Sequence, residues 1–194
     1  MKTVRDICKY IGSVICDGPV CVETGCTYTM APGSEMHTTT NNIAEHICLY
    51  NHGILFSLDL SQEHLDFAAT VLPHSIEDEY CLHVNFILGD SVGSLKMLGQ
   101  EWYGDGPGNS IDLLCLDSKE FDEDHMVKEY NAIKHSLAEK HFVLVDDIHN
   151  PNSVKYKKMV PILKDLGYEY VEVKTPTGML VTTKGYKLPG GSSV

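Results

Sequence analysis

The chain is short of positive charge, has no C-x-x-C cysteine pair and no long apolar run, and each shortage removes a class of partner. Fifteen Lys and Arg stand against 27 Asp and Glu, a formal net charge of −12 over 194 residues. Phosphate backbones and anionic membrane surfaces are held by clustered Lys and Arg, so neither nucleic acid nor a membrane is expected as the main partner. No stretch approaches the roughly 20 apolar residues needed to cross a bilayer, and the N-terminus lacks the basic-then-apolar grading of a secretion signal. The seven cysteines, at 8, 16, 21, 26, 48, 81 and 115, are odd in number. They read as reduced, mostly buried thiols, not a zinc set or disulfide framework, which favours a cytoplasmic protein. No internal repeat and no linker divides the chain. Residues 1–188 are expected to form one domain, with 189–194 a flexible tail.

What the sequence does contain is an alternation of short apolar runs with helical patterns. Residues 3–16 place Val4, Ile7, Cys8, Ile11, Val14 and Ile15 at helical spacing, with Thr3 as N-cap and the Asp17-Gly18-Pro19 stretch as a stop. Strand-like runs follow at 20–24, 54–60, 84–90, 111–117 and 141–147. They are apolar on both faces, which suits a parallel sheet covered by helices on each side. Helical patterns lie between them, at 61–72 with Ser61 as cap and at 122–140 with Met126, Val127, Tyr130, Ile133 and Leu137 on one face. Residues 153–166 read as a further helix that Pro161 should restart or kink, with Gly167 as its stop. The last two strands, 168–175 and 178–184, are too close for a crossover and must form an antiparallel hairpin.

In open α/β sheets ligands bind outside the carboxyl ends of the strands. Here every parallel strand finishes in an acid: Glu23, Asp59, Asp90, Asp117, and Asp146 with Asp147. Singly, such an acid is usually a helix cap or a solvated turn residue. Together, five acidic strand ends on one rim repel each other unless something cationic or hydrogen-bond donating sits among them.

These segments resemble class I S-adenosylmethionine-dependent methyltransferases. "VCVETGCT" is similar to their first motif, "ILFSLDLSQEHL" to their second strand and its acid, "LGDS" to the adenine-side motif and "IDLLCLDS" to the fourth-strand motif. With "VLVDDIH", the last looks most like the metal-dependent O-methyltransferases of the catechol type and the cephalosporin-hydroxylase-like group. The resemblance covers nearly the whole chain through the order and spacing of short motifs. It implies a Rossmann-like three-layer α/β sandwich, with a seven-stranded, mostly parallel sheet closed by an antiparallel hairpin.

The resemblance further implies that Gly25 lets the backbone approach the methionine part of S-adenosylmethionine, with Glu23 and Thr24 nearby. Asp59 would accept hydrogen bonds from the ribose hydroxyls, with Leu60 beside it, and Asp90, Ser91 and Asp117 would complete the cofactor site. Asp117, Asp146 and Asp147 would hold Mg²⁺ or another divalent cation, which suits hard oxygen ligands. Asp117 would then also be catalytic, and Lys119 or His149 would serve as base unless each is a surface residue. In the competing reading of the rim, Asp147 and Asn150 only cap the turn before the next helix.

The expected activity is metal-assisted O-methylation of a small hydroxylated molecule, with a pocket shared between subunits of a homo-oligomer left open. Two alternatives stand beside it. One is a noncatalytic module that keeps the fold to bind a cofactor or metabolite. The other is an NAD-dependent oxidoreductase, weakened by the missing G-x-G-x-x-G after the first strand. The first motif departs from the family in having one glycine, followed by an insertion at 27–38 that contains His37. The insertion is either a lid over the cofactor, with Thr38 to Thr40 capping the next helix, or a sign that the pocket is altered. His37 and His125 read as solvated in the absence of further partners, and 101–110 reads as a loop opposite the active rim.

Overall fold

A computed structural model describes residues 2–15, 17–26, 39–72, 83–102, 110–118 and 121–190. The elements run α1 (Val4–Val14), β1 (Val20–Thr24), α2 (Thr39–Ile43), β2 (Ile54–Asp59), α3 (Gln62–Val71), β3 (His83–Leu88), α4 (Ser91–Met97), β4 (Ile111–Leu116), α5 (His125–Ile133), β5 (Leu137–Asp146), α6 (Met159–Asp165), β6 (Glu169–Val173) and β7 (Met179–Lys184). Two helices change pitch: α2 continues as a π turn at Ala44–Leu49 and α4 as one at Leu98–Trp102.

The sheet has seven strands in the order β3-β2-β1-β4-β5-β7-β6. β1 to β5 are mutually parallel, while β7 runs antiparallel to both β5 and β6. The expected α/β class, strand count and closing hairpin are therefore observed. Chain direction reverses its lateral progress between β1 and β4, and this switch point opens a crevice beyond the strand ends.

Alternation along the strands divides the core into two layers. Val20, Val22, Leu114, Leu116, Val143 and Val145 pack with Met126 and Ile133 of α5 and Leu163 of α6. Cys21, Leu113, Cys115, Phe142 and Leu144 pack on the other side with Ile7 and Ile11 of α1. Cys8, Cys21, Cys26, Cys48 and Cys115 are free thiols inside the protein.

Local signals set several boundaries. Thr3 accepts the N–H of Asp6 while Asp6 accepts the N–H of Thr3, so α1 begins with a complete capping box. Ser61 caps α3 and Asp90 caps α4 through Gly93. Two helices are shorter than their patterns predict. The 122–140 pattern ends as α-helix at Ile133, and after a 3₁₀ turn Leu137 begins β5 by pairing with Ile111. Pairing to β4 overrides the local helical periodicity there. In the 153–166 pattern only Met159–Asp165 is helical, with Pro161 in the first turn, where a missing N–H costs nothing.

The 27–38 insertion with His37 and Thr38, Lys119, Cys16, Cys81, residues 103–109 of the glycine loop and the tail from 191 lie outside the described residues.

Candidate active site at the strand ends

A cavity of about 530 Å³ opens at the switch point, lined by the turns after β1, β2, β3 and β4. The first turn is built by Gly25. Its φ of +80° is left-handed, and a Cβ there would meet the Asp117 carbonyl oxygen at 2.5 Å. The Gly25 N–H is taken by Leu58 O and the Asp117 N–H by Thr24 O, so β2, β1 and β4 stay laced beyond their last regular pairs.

Asp59, with a side chain 11% exposed, faces this cavity. Its Oδ1 accepts the Ser61 N–H at 2.8 Å and lies 3.0 Å from His64 Nδ1, while Oδ2 accepts the Cys26 N–H at 3.2 Å. These contacts fix the carboxylate's direction. Beside it Leu60 exposes 61% of its surface, an apolar wall. Gly89 and Ser91 also line the cavity.

The cavity lining also holds a network that the sequence did not announce. Ser91 Oγ lies 3.0 Å from His125 Nε2, which lies 3.3 Å from Glu129 Oε1. Ser118 Oγ donates to the same Glu129 oxygen. His125 is buried here, not solvated as expected. The only local clue is the i, i+4 spacing of His125 and Glu129 on α5.

Other expected site residues are placed differently. Glu23 and Thr24 are fully buried in β1. Glu23 Oε1 accepts from Ser57 Oγ at 2.6 Å, and burial pushes its carboxyl up to about 7 against that hydrogen bond. Asp90 is an exposed helix cap. His149 does not reach the cavity: its ring lies over Gly178 and its Nε2 is 3.6 Å from Glu172, because the turn after β5 folds back onto the β6–β7 loop.

The expected cation ligands are divided. Asp117 and Asp147 line the main cavity, whereas Asp146 lines a second cavity of about 320 Å³ with Lys2, Thr39 and Lys174. Lys155 Nζ lies 2.6 Å from Asp117 Oδ1 and 2.8 Å from Asp147 Oδ2, with none of its side chain exposed. Burial disfavours that ammonium, yet Asp117 and Asp147 outweigh it and hold Lys155 protonated. Burial, then the nearby Asp146 carboxylate, push the Asp117 carboxyl upward against the pull of Lys155. As arranged, these acids do not fit a divalent ion, and among the described residues no three His, Cys, Asp or Glu side chains converge to hold one.

No family model and no curated protein matches the sequence. Solved structures do match the fold. A protein from Staphylococcus aureus, provisionally named a caffeoyl-CoA O-methyltransferase, superposes with a TM-score of 0.59 at 10% identity, covering 94% of this chain and 81% of its own. An rRNA methylase from Streptococcus thermophilus gives 0.58 at 11% identity, over 96% and 98% of the two chains. The chain has the fold of methyltransferases. A third match, a provisionally named methyltransferase from Streptococcus mutans in complex with SAH, gives 0.58 at 11% identity over 94% and 98%.

Proposed function

We propose that the chain is an S-adenosylmethionine-dependent methyltransferase acting on a hydroxyl group of a small molecule. The observation that carries the reading is the carboxylate of Asp59, set at the end of β2 and facing a cavity at the switch point beside the exposed Leu60. A carboxylate offers several lone pairs, and those left free by Cys26, Ser61 and His64 suit ribose hydroxyls. Leu60 offers its apolar face to the adenine, and Gly89 with Ser91 borders it. The Gly25–Cys26 turn follows the methionine part. Bound there, the cofactor would supply an electrophilic methyl group on a sulfonium.

The chain's own part is alignment, the main demand of an in-line displacement. Asp117, Ser118 and Asp147 border the end where the acceptor would enter. Of the two bases expected from sequence, His149 faces Glu172, and Lys119 is retained on its position next to Ser118. Since Asp117 and Asp147 hold Lys155, no step is assigned to a divalent ion. The acid excess of 27 over 15 supports a small acceptor over nucleic acid. Buried free thiols support a cytoplasmic setting, and among the described residues no helix is long and apolar enough to cross a membrane.

Release of S-adenosylhomocysteine from S-adenosylmethionine, followed over a panel of phenols, catechols and hydroxy acids, tests the activity. Turnover with wild type that Asp59→Ala abolishes supports it. Tight cofactor binding without turnover on any acceptor would favour the noncatalytic module.

A further inference from the structure

We propose that Lys155 is the resident cation of this acidic edge: its ammonium, clasped between Asp117 and Asp147, takes the place of a divalent ion. Lys155 plays this part whether or not the cavity takes a sulfonium nucleoside, because none of its contacts involves the cofactor.

Three observations converge on it. The first is position. Lys155 enters from the turn before α6 and reaches the carboxylates that follow β4 and β5, at 2.6 Å and 2.8 Å. A metal bound by those same oxygens would need its centre within about 2.0–2.6 Å of each, inside the volume the ammonium fills and against its charge. The second is burial. The lysine side chain is fully enclosed, and a buried ammonium persists only when paired and hydrogen-bonded, so it is built into the site and not swung in from the surface. The third is backbone conformation. Asp147 has a φ of +61°, a left-handed step that aspartate takes more readily than most side chains, and here the chain turns out of β5 with Asp147 on the Lys155 side and Asp146 lining the other cavity.

Lys155 thereby fixes the direction of two carboxylates that line the main cavity. It is a positioning residue, and Asp117 and Asp147 cannot turn into the cavity without giving up their ion pairs with the ammonium.

The test is uptake of Mn²⁺ by the full-length chain, read by electron paramagnetic resonance and calorimetry. Wild type is expected to take up no stoichiometric Mn²⁺. Stoichiometric uptake that Asp117→Asn abolishes would overturn the proposal without any Lys155 variant. In Lys155→Ala the carboxylates lose the ammonium between them. That variant should gain a Mn²⁺ site at least about tenfold tighter than anything in wild type, and Mn²⁺ should raise its melting temperature. Asp117→Asn added to Lys155→Ala should remove the gain. A Lys155→Ala chain that melts with wild type and takes up no Mn²⁺ would also overturn it. Should Lys155→Ala not fold, Lys155→Arg keeps the charge: it should fold and still exclude Mn²⁺, and Mn²⁺ uptake by it would count against the proposal.

Discussion

A β-carbon on Gly25 would lie 2.5 Å from the carbonyl oxygen of Asp117. The turn leaving β1 is thus pressed against the end of β4, and the floor of the cavity depends on a residue without a side chain. Gly25→Ala adds both this clash and the strain of φ +80°. It should cost about 1–3 kcal/mol in urea unfolding. Gly167→Ala is the control, since φ is +74° with no atom within 4 Å, and it should cost less. Equal losses would mean that the contact with Asp117 is not tight.

Glu23 makes stability depend on pH. Burial raises its carboxyl from 4.5 to about 7 in the folded chain. The unfolded chain gives up that proton first, so the Glu23 contribution falls as pH rises from about 4.5 to about 7 and is level above. Relative to wild type, Glu23→Gln should gain up to roughly 3 kcal/mol on going from pH 5 to pH 8. The same relative stability at both pH values would show that the buried carboxyl titrates normally.

His125 and Glu129 should behave as a unit. His125→Leu leaves a fully buried carboxylate with fewer partners and should cost about 2–4 kcal/mol. His125→Leu with Glu129→Leu removes both polar groups and should recover part of that loss. Additive losses in chemical denaturation would argue against a coupled pair.

The sheet was legible in the sequence because its strands are apolar on both faces, and Val22, Leu114 and Val145 can only be buried. Asp59 was legible because it ends such a run directly before a Ser61 cap. The end of α5 was not: Leu137 keeps the helical period, and only its pairing with Ile111 makes it strand. Lys155 was not legible either. It stands 38 residues from Asp117 in a run of ordinary surface lysines, and nothing local distinguishes it from Lys157 or Lys158. The acidic edge did announce that it needed a cation, but whether an ion or a side chain supplies it is decided by tertiary contact.

Leu60 offers a test of the apolar wall that leaves the fold alone. With 61% of its surface exposed, Leu60→Asp should change stability by less than about 0.5 kcal/mol. It should weaken S-adenosylhomocysteine binding by about tenfold, the loss expected for one apolar contact of this size. Unchanged affinity in competition binding would move the ligand off this wall.

The most direct measurement is calorimetric titration of S-adenosylhomocysteine into wild type and Asp59→Ala, with circular dichroism to verify that both are folded. Saturable binding of one ligand per wild-type chain is expected, and none that is measurable in the variant. Absence of binding to folded wild type, or equal affinity in the two proteins, would contradict it.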